Sequence, residues 1–134
     1  MSHPRNPAAS YREAQFATAD RGRLLVLMFD GGVRFLRGAE DALGAQDVER
    51  FAHQLSRAQA IIAELLHTLD HKAGGTIAAD LDRLYRFMLE HLVEANLRKS
   101  VTHVAEVRRV FEIVAGAYRE ILAPASAEQV QLAG

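Results

Sequence analysis

Apolar residues recur at helical spacing in four successive segments of the chain, and no segment alternates strictly between apolar and polar residues. The first segment begins near Asp20, a residue type favoured at helix N-caps, and ends at Gly44, a type favoured just beyond a helix. The predicted helices cover residues 20–44, 47–70, about 76–97 and 100–122. Because short breaks join helices of similar length, the pattern predicts an all-α fold, an antiparallel up-down four-helix bundle over residues 20–122.

The two ends of the chain are expected to lie outside this bundle. Residues 1–19 are too irregular to predict a helix, although Tyr11 and Phe16 are apolar enough to dock on the bundle. Residues 123–134 are rich in alanine and also contain glutamine, serine and glycine, and they predict a flexible tail. Within the bundle, the segment from His71 to Gly75 interrupts the helical pattern, because paired glycines disfavour helix.

The first predicted helix carries more apolar surface than one helix face needs. At about 100° per residue, its main face collects nine residues that are expected to fill the core. They are Leu24, Leu25, Met28, Phe29, Phe35, Leu36, Ala39, Ala42 and Leu43. Val26 and Val33 widen this face at one edge, and Leu27 falls on the far side. Such a helix is either covered on two sides or keeps an apolar surface for a partner.

The third and fourth helices repeat this surplus. The main apolar face of the third helix includes Ile77, and that of the fourth includes Ile121. Leu89 and Val93 lie beside the first of these faces, and Ile113 lies off the second. Dense packing within the bundle would explain these positions as well as a binding surface would, and the spacing leaves both interpretations open.

Composition and charge exclude several classes of function. The chain of 134 residues has a net charge of -1, and its basic residues form no stripe, so no nucleic-acid partner is expected. It has no cysteine, no apolar run long enough to cross a bilayer and no visible signal peptide, which together predict a cytoplasmic protein without membrane insertion. No phosphate-binding loop or nucleophile motif is present, so neither an enzyme nor a cofactor is expected.

The histidines offer two weaker hypotheses. Glu64 and His67 have the Glu-x-x-His spacing of di-iron helical bundles, but the second such pair is missing, so no metal site is expected. His67 and Lys72 also invite comparison with histidine phosphotransfer bundles, although His67 lies near a helix end rather than in its middle. Exposed polar residues on a helix explain both pairs more simply.

Several sequence blocks, in the same order and with the same spacing, resemble the flagellin-export chaperone (FliS) family. They cover roughly residues 6 to 122 and include Asn6-Pro7, Thr18-Ala19-Asp20, Leu24 to Leu36 with its central Phe29-Asp30-Gly31, Ala58 to Leu65, Thr68-Leu69-Asp70, Gly74 to Ala78, Leu81 to Tyr85 and Leu92 to Asn96. No single block is specific, but the ordered set is.

The resemblance implies a cytoplasmic chaperone that binds the disordered C-terminal segment of flagellin. It would keep flagellin unpolymerised until the flagellar type III export apparatus takes it, and the N-terminal segment would act as a lid over the binding groove. The residues expected to form the groove and lid are Tyr11, Phe16, Val26, Leu27, Asp30, Gly31, Val33, Leu89 and Val93. An empty groove could also pair with itself in a homodimer. The alternative is a helical adaptor of the same fold that binds a different amphipathic helix.

Overall fold

The computed structural model of the protein describes the backbone of residues 7–122 and the side chains of Ala8 and residues 20–121. It contains four α-helices: Pro7–Gly44 (α1), Val48–His67 (α2), His71–Arg98 (α3) and Val101–Leu122 (α4). No strand occurs in this part of the chain, so the all-α prediction is confirmed. None of these helices is long and apolar enough to cross a membrane. The predicted tail, residues 123–134, lies outside the described residues.

The predicted start of the first helix is wrong. α1 begins at Pro7 rather than near Asp20, and it continues through Gly22 without a break. Two features of the sequence account for this. Proline is favoured at the first position of a helix, and residues 8–19 are rich in alanine and other strong helix formers. Extending an existing helix also costs far less than nucleating a new one. The N-terminal segment therefore continues α1 as helix from Pro7 onward.

The other helix boundaries follow local capping. The Asp47 carboxylate accepts a hydrogen bond from the backbone N–H of Arg50 at the start of α2, and Ser100 Oγ accepts one from the N–H of His103 at the start of α4. α3 begins at His71, five residues earlier than predicted. The predicted break survives as a kink at Gly75, where φ is 50° and ψ is -124°, a conformation that favours glycine.

The helices pack around a square in chain order. α1 packs against α2 and α4, and α3 packs against the same two helices on the opposite side. α1 and α4 are antiparallel, because Arg108 pairs with Glu40 while Arg119 pairs with Asp30. The arrangement is that of the predicted four-helix bundle.

All four helices contribute large side chains to a single core. The largest fully buried residues are Tyr85, Phe29, Phe51, Phe111, Leu36, Leu55, Ile62, Leu65, Met88, Leu92, Val104 and Val107. Phe29 contacts both Phe111 and Tyr118, with ring centroids 5.4 and 4.8 Å apart. Burial raises the pKa of the Tyr85 hydroxyl, and the neighbouring Tyr118 adds to this shift.

Some apolar positions that the spacing assigned to the core are exposed. Leu24 is 57% exposed and Ile77 is 72% exposed. Both lie at one end of the bundle, where α2 has already ended at His67 and α3 has just passed its kink. Helical spacing identifies the face of a helix, but it does not show where the neighbouring helix stops.

Candidate functional site

The contacts of α1 with its neighbours are close because glycines lie at the crossing points. A Cβ atom added at Gly31 would lie 3.3 Å from Ile61 of α2, and one added at Gly32 would lie 2.5 Å from the ring of Phe111 in α4. Both glycines are buried. These contacts hold α1 against both neighbours at the two glycines, and cavities lined in part by Asp30 and Val33 lie on either side, one of about 590 Å³ towards α2 and one of about 310 Å³ towards α4.

A ladder of ion pairs covers the seam between α1 and α4. Arg37 Nη2 lies 2.8 Å from Glu112 Oε1, and Arg108 binds both Glu40 and Glu112. The hydrogen bond from Arg37 and the nearby charge of Arg108 hold the pKa of Glu112 below its ordinary value. This seam is therefore polar along its length.

The side of α3 that faces α4 is more open and more apolar. His91 Nε2 of α3 lies 2.7 Å from Glu106 Oε2 of α4, which fixes the faces that the two helices present to each other. Counting from His91 at helical spacing, the same stripe of α3 carries Phe87, Leu84, Asp80 and Ile77, so one exposed carboxylate lies among its apolar residues. Phe87 stacks on the His91 ring, with a centroid distance of 5.1 Å, yet its side chain remains about half exposed.

The matching stripe of α4 is also apolar. Starting from Glu106, it carries Val110, Ile113, Ala117 and Ile121. Ile113 and Ile121 are each 72% exposed. We call the surface between these two stripes the α3–α4 groove. Together with the half-exposed Phe87, these isoleucines give the α3–α4 groove an apolar surface, and contiguous surfaces of this kind are typical of binding sites.

The two ends of the α3–α4 groove differ in chemistry. Near His91 the groove closes on polar groups, because the His91 ring stacks on His103, and Ser100 Oγ lies 2.7 Å from Nδ1 of His103. At the other end, Ile77 borders a cavity of about 300 Å³ with Leu25, Leu69, Leu81 and Tyr118 in its walls. A ligand lying along the groove would therefore meet this cavity at one end and the polar groups of His91, His103 and Ser100 at the other.

Of the five candidates that the sequence predicted on α1, Asp30 and Val33 are brought together, because both line a cavity of about 310 Å³ beside α4. Leu27 is 67% exposed, as its off-face position predicted, but Val26 is only half-buried and lies apart from it. Val33 packs partly against the core and lines a cavity of the polar seam, and Asp30 pairs with Arg119. Gly31 is buried against Ile61, so its place in the family motif is accounted for by helix packing.

The remaining candidates lie on α3 or outside the described side chains. Leu89 packs partly against the core, while Val93 is exposed on the same helix. Because α1 and α3 occupy opposite corners of the bundle, these two residues are not brought together with Leu27. The side chains of Tyr11 and Phe16 lie outside the described residues, and their role as lid anchors stays a prediction.

Sequence reasoning did not find the α3–α4 groove as a unit. The feature of the sequence that indicated this surface was the position of Ile113, which lies off the main apolar face of its helix. Sequence reasoning assigned Ile77 and Ile121 to apolar core faces, and both are exposed. The groove depends on the register between two helices, which the spacing within one helix does not determine.

Among the described residues, no cluster of three or more histidine, aspartate or glutamate side chains is arranged to hold a metal ion. Glu64 and His67 are both exposed on α2, and His67 is the last residue of that helix. The Glu-x-x-His pair is therefore found on the surface rather than in the bundle interior, where a di-iron site would be built.

Comparison with known proteins identifies the family. Residues 4–125 match the family model described as flagellar protein FliS. The chain belongs to this family. It is 33% identical over 118 residues to the flagellar secretion chaperone FliS of Salmonella typhimurium, covering 87% of each chain. It is 36% identical over 95 residues to flagellar secretion chaperone FliSB of Pseudomonas aeruginosa, covering 71% of this chain and 75% of that one.

A third relative, the flagellar secretion chaperone FliS of Bacillus subtilis, is 33% identical over 102 residues, which cover 76% of this chain and 75% of the relative. The resemblance recognised from the ordered sequence blocks is thereby confirmed. The relatives are named as secretion chaperones of the flagellum, and an apolar groove on a helical bundle is the type of surface that such a function needs.

Proposed function

We propose that this protein is a cytoplasmic chaperone that binds the disordered C-terminal segment of flagellin. By covering that segment it would keep flagellin from polymerising, and it would deliver flagellin to the flagellar type III export apparatus. Membership of the FliS family supports the class of function. The observation that carries the assignment of a site is the α3–α4 groove, whose exposed isoleucines lie along two adjacent helices.

The groove suits an amphipathic helix for a geometric reason. From Ile77 to His91 the groove follows 14 residues of α3, about 21 Å at 1.5 Å per residue. A ligand helix of about four turns has the same length, and its apolar side chains recur at spacings of three and four residues. A disordered segment loses about 2–5 kcal/mol on ordering, so it needs a long apolar surface of this kind.

The test is calorimetric titration of the full chain with a synthetic peptide of the flagellin C-terminal segment. Binding is expected with a negative heat-capacity change, because apolar surface is buried. Failure to bind at peptide concentrations on the order of 100 μM would overturn the proposal.

Two matched variants locate the site. Ile113→Asp and Leu27→Asp each place a carboxylate at a position that is about 70% exposed on a helix surface. Burying one large apolar side chain contributes about 1.5–3 kcal/mol, so Ile113→Asp is expected to weaken binding by about tenfold or more. Leu27→Asp tests the α1 surface that the sequence predicted. A loss of affinity in Leu27→Asp alone would refute the α3–α4 groove as the site.

A further inference from the structure

The cavity at the apolar end of the α3–α4 groove has features of a dedicated pocket. It lies between the start of the bundled part of α1, the α2–α3 connection, and the near ends of α3 and α4. Leu25, Leu69 and Leu81 are half-buried in its walls, and the Tyr118 ring, supported by Phe29, forms another side. Its volume of about 300 Å³ lies at the lower end of the range of ligand pockets.

One wall of the pocket is held by capping rather than by core packing. The Asp70 carboxylate accepts hydrogen bonds of 3.1 Å from the backbone N–H groups of Lys72 and Ala73. The kink at Gly75 then turns this first helical turn back, so that His71 Nε2 lies 3.5 Å from Asp82 Oδ2, eleven residues along α3. The first turn of α3 is thus fixed at an angle to the rest of the helix, which leaves the pocket open beside Ala73.

The rim of the pocket carries a cation that has no carboxylate partner among the described residues. Arg21 is exposed, and its one hydrogen bond in this part of the chain is a long one of 3.5 Å to the carbonyl oxygen of Thr68. The other charged rim residue, Asp70, already accepts two backbone hydrogen bonds. A guanidinium group offers five N–H donors, so Arg21 retains most of its capacity to bind a carboxylate.

We infer that this pocket is an anchor site, which receives one large apolar side chain of the helix bound in the α3–α4 groove, while Arg21 binds a carboxylate of the same helix. This inference rests on the proposed function. Ile77 belongs to both the pocket wall and the groove stripe, so the pocket adjoins the end of the groove, within reach of a side chain from a helix bound there. Residues three or four apart share one side of a helix, which places the carboxylate about one turn from the anchor.

The pocket is tested by filling it from its rim. Ala73 is exposed and lines the cavity, so Ala73→Leu adds three carbon atoms there without changing the core. Ala63→Leu makes the same change at an exposed position of α2 that does not line the cavity, and it is the matched control. With the flagellin C-terminal peptide as the probe, Ala73→Leu is expected to weaken binding about tenfold, and Ala63→Leu is expected to leave it unchanged.

The rim charge is tested by reversal. Arg21→Glu is expected to weaken binding roughly twofold to fivefold, the range of an exposed ion pair. A peptide in which one acidic residue is replaced by lysine should recover the loss with Arg21→Glu and should bind the unmodified protein more weakly. A loss that no such peptide recovers would refute the pairing with Arg21.

A measurement on the unmodified protein keeps the inference testable if Ala73→Leu proves unstable. The methyl resonances of Leu25 and Leu81 should shift on peptide binding, because both side chains line the pocket. Binding without these shifts, or with full affinity in Ala73→Leu, would overturn the anchor site and leave the proposed function standing. The absence of any binding to the unmodified protein would overturn both.

Discussion

Gly32 provides a sharp test of how α1 and α4 are packed. A Cβ atom at this position would lie 2.5 and 2.6 Å from two ring carbons of Phe111, whereas carbon atoms in contact normally lie at about 3.5–4.0 Å. The Phe111 ring is completely buried and lies against Phe29, so it has to move by about 1 Å within a filled core. We therefore expect Gly32→Ala to destabilise the protein.

The magnitude is the balance of two opposing effects. Replacing glycine by alanine inside a helix ordinarily stabilises by about 0.5–1 kcal/mol. Forcing an extra carbon into a packed core costs about 1–3 kcal/mol. The net expectation for Gly32→Ala is a loss of up to about 2.5 kcal/mol in the free energy of unfolding, and a chain of this size should then lose up to several degrees in Tm.

Gly116→Ala is the matched control. Gly116 lies inside α4, and a Cβ atom there would meet no atom within 4 Å. This variant should therefore gain the full helix contribution of about 0.5–1 kcal/mol. The free energy of unfolding of each variant is measured by urea unfolding followed by circular dichroism. The difference between the two variants gives the cost of the overlap with Phe111. Equal stabilisation of the two variants would refute the close approach of α1 and α4 at Gly32.

Four further predictions concern other parts of the molecule. Gly75→Ala should cost about 1–3 kcal/mol, because φ of 50° with ψ of -124° is a glycine conformation; Gly44→Ala, which has open space around it, should show no such loss in the same unfolding assay. The pKa of Glu112 is lowered in the folded protein, so its contribution to stability is present above its ordinary pKa of 4.5 and is lost as the pH falls below 4.5. Glu112→Gln should therefore show a shallower loss of stability in acid than the unmodified protein. The pKa of Tyr85 is raised in the folded protein, so its contribution to stability is present below its ordinary pKa of 10.0 and is lost at higher pH. Tyr85→Phe should remove this alkaline loss of stability. If stability depends on pH in the same way with and without the substitution, Tyr85 ionises freely in the folded state. If the empty groove self-associates, sedimentation should reveal a homodimer that Ile113→Asp or the flagellin peptide dissociates.

Much of the fold can be predicted from the sequence, because the spacing of apolar residues within a helix identifies the face that is buried. The spacing placed Phe29 and Leu36 in the core, and both are almost completely buried. It also predicted that Leu27 lies off that core, where it is exposed. These predictions depend on the period of a single helix, which neighbouring elements do not change.

The errors arise where the outcome depends on something beyond one helix. The helix start near Asp20 was wrong, because an acceptable N-cap residue does not end a helix that good helix formers can extend. Ile77 was expected in the core, but it lies just beyond the kink at Gly75 and is 72% exposed. The burial of Gly31 against Ile61 likewise reflects the crossing of α1 with α2, and its contact with a partner stays a prediction.

The location of the groove follows from the unequal packing of the bundle. Glycines draw α1 close to α2 and α4, and the ion pairs of Arg37 and Arg108 close the seam towards α4. On the opposite corner, the polar contact between His91 and Glu106 holds only one end of α3 against α4. The apolar surplus that the sequence displays on several helices is therefore exposed in part around α3, and Leu27 of α1 remains exposed as well. In the proposed function, the ion-paired seam between α1 and α4 would preserve the fold, and the α3–α4 groove would bind the flagellin helix.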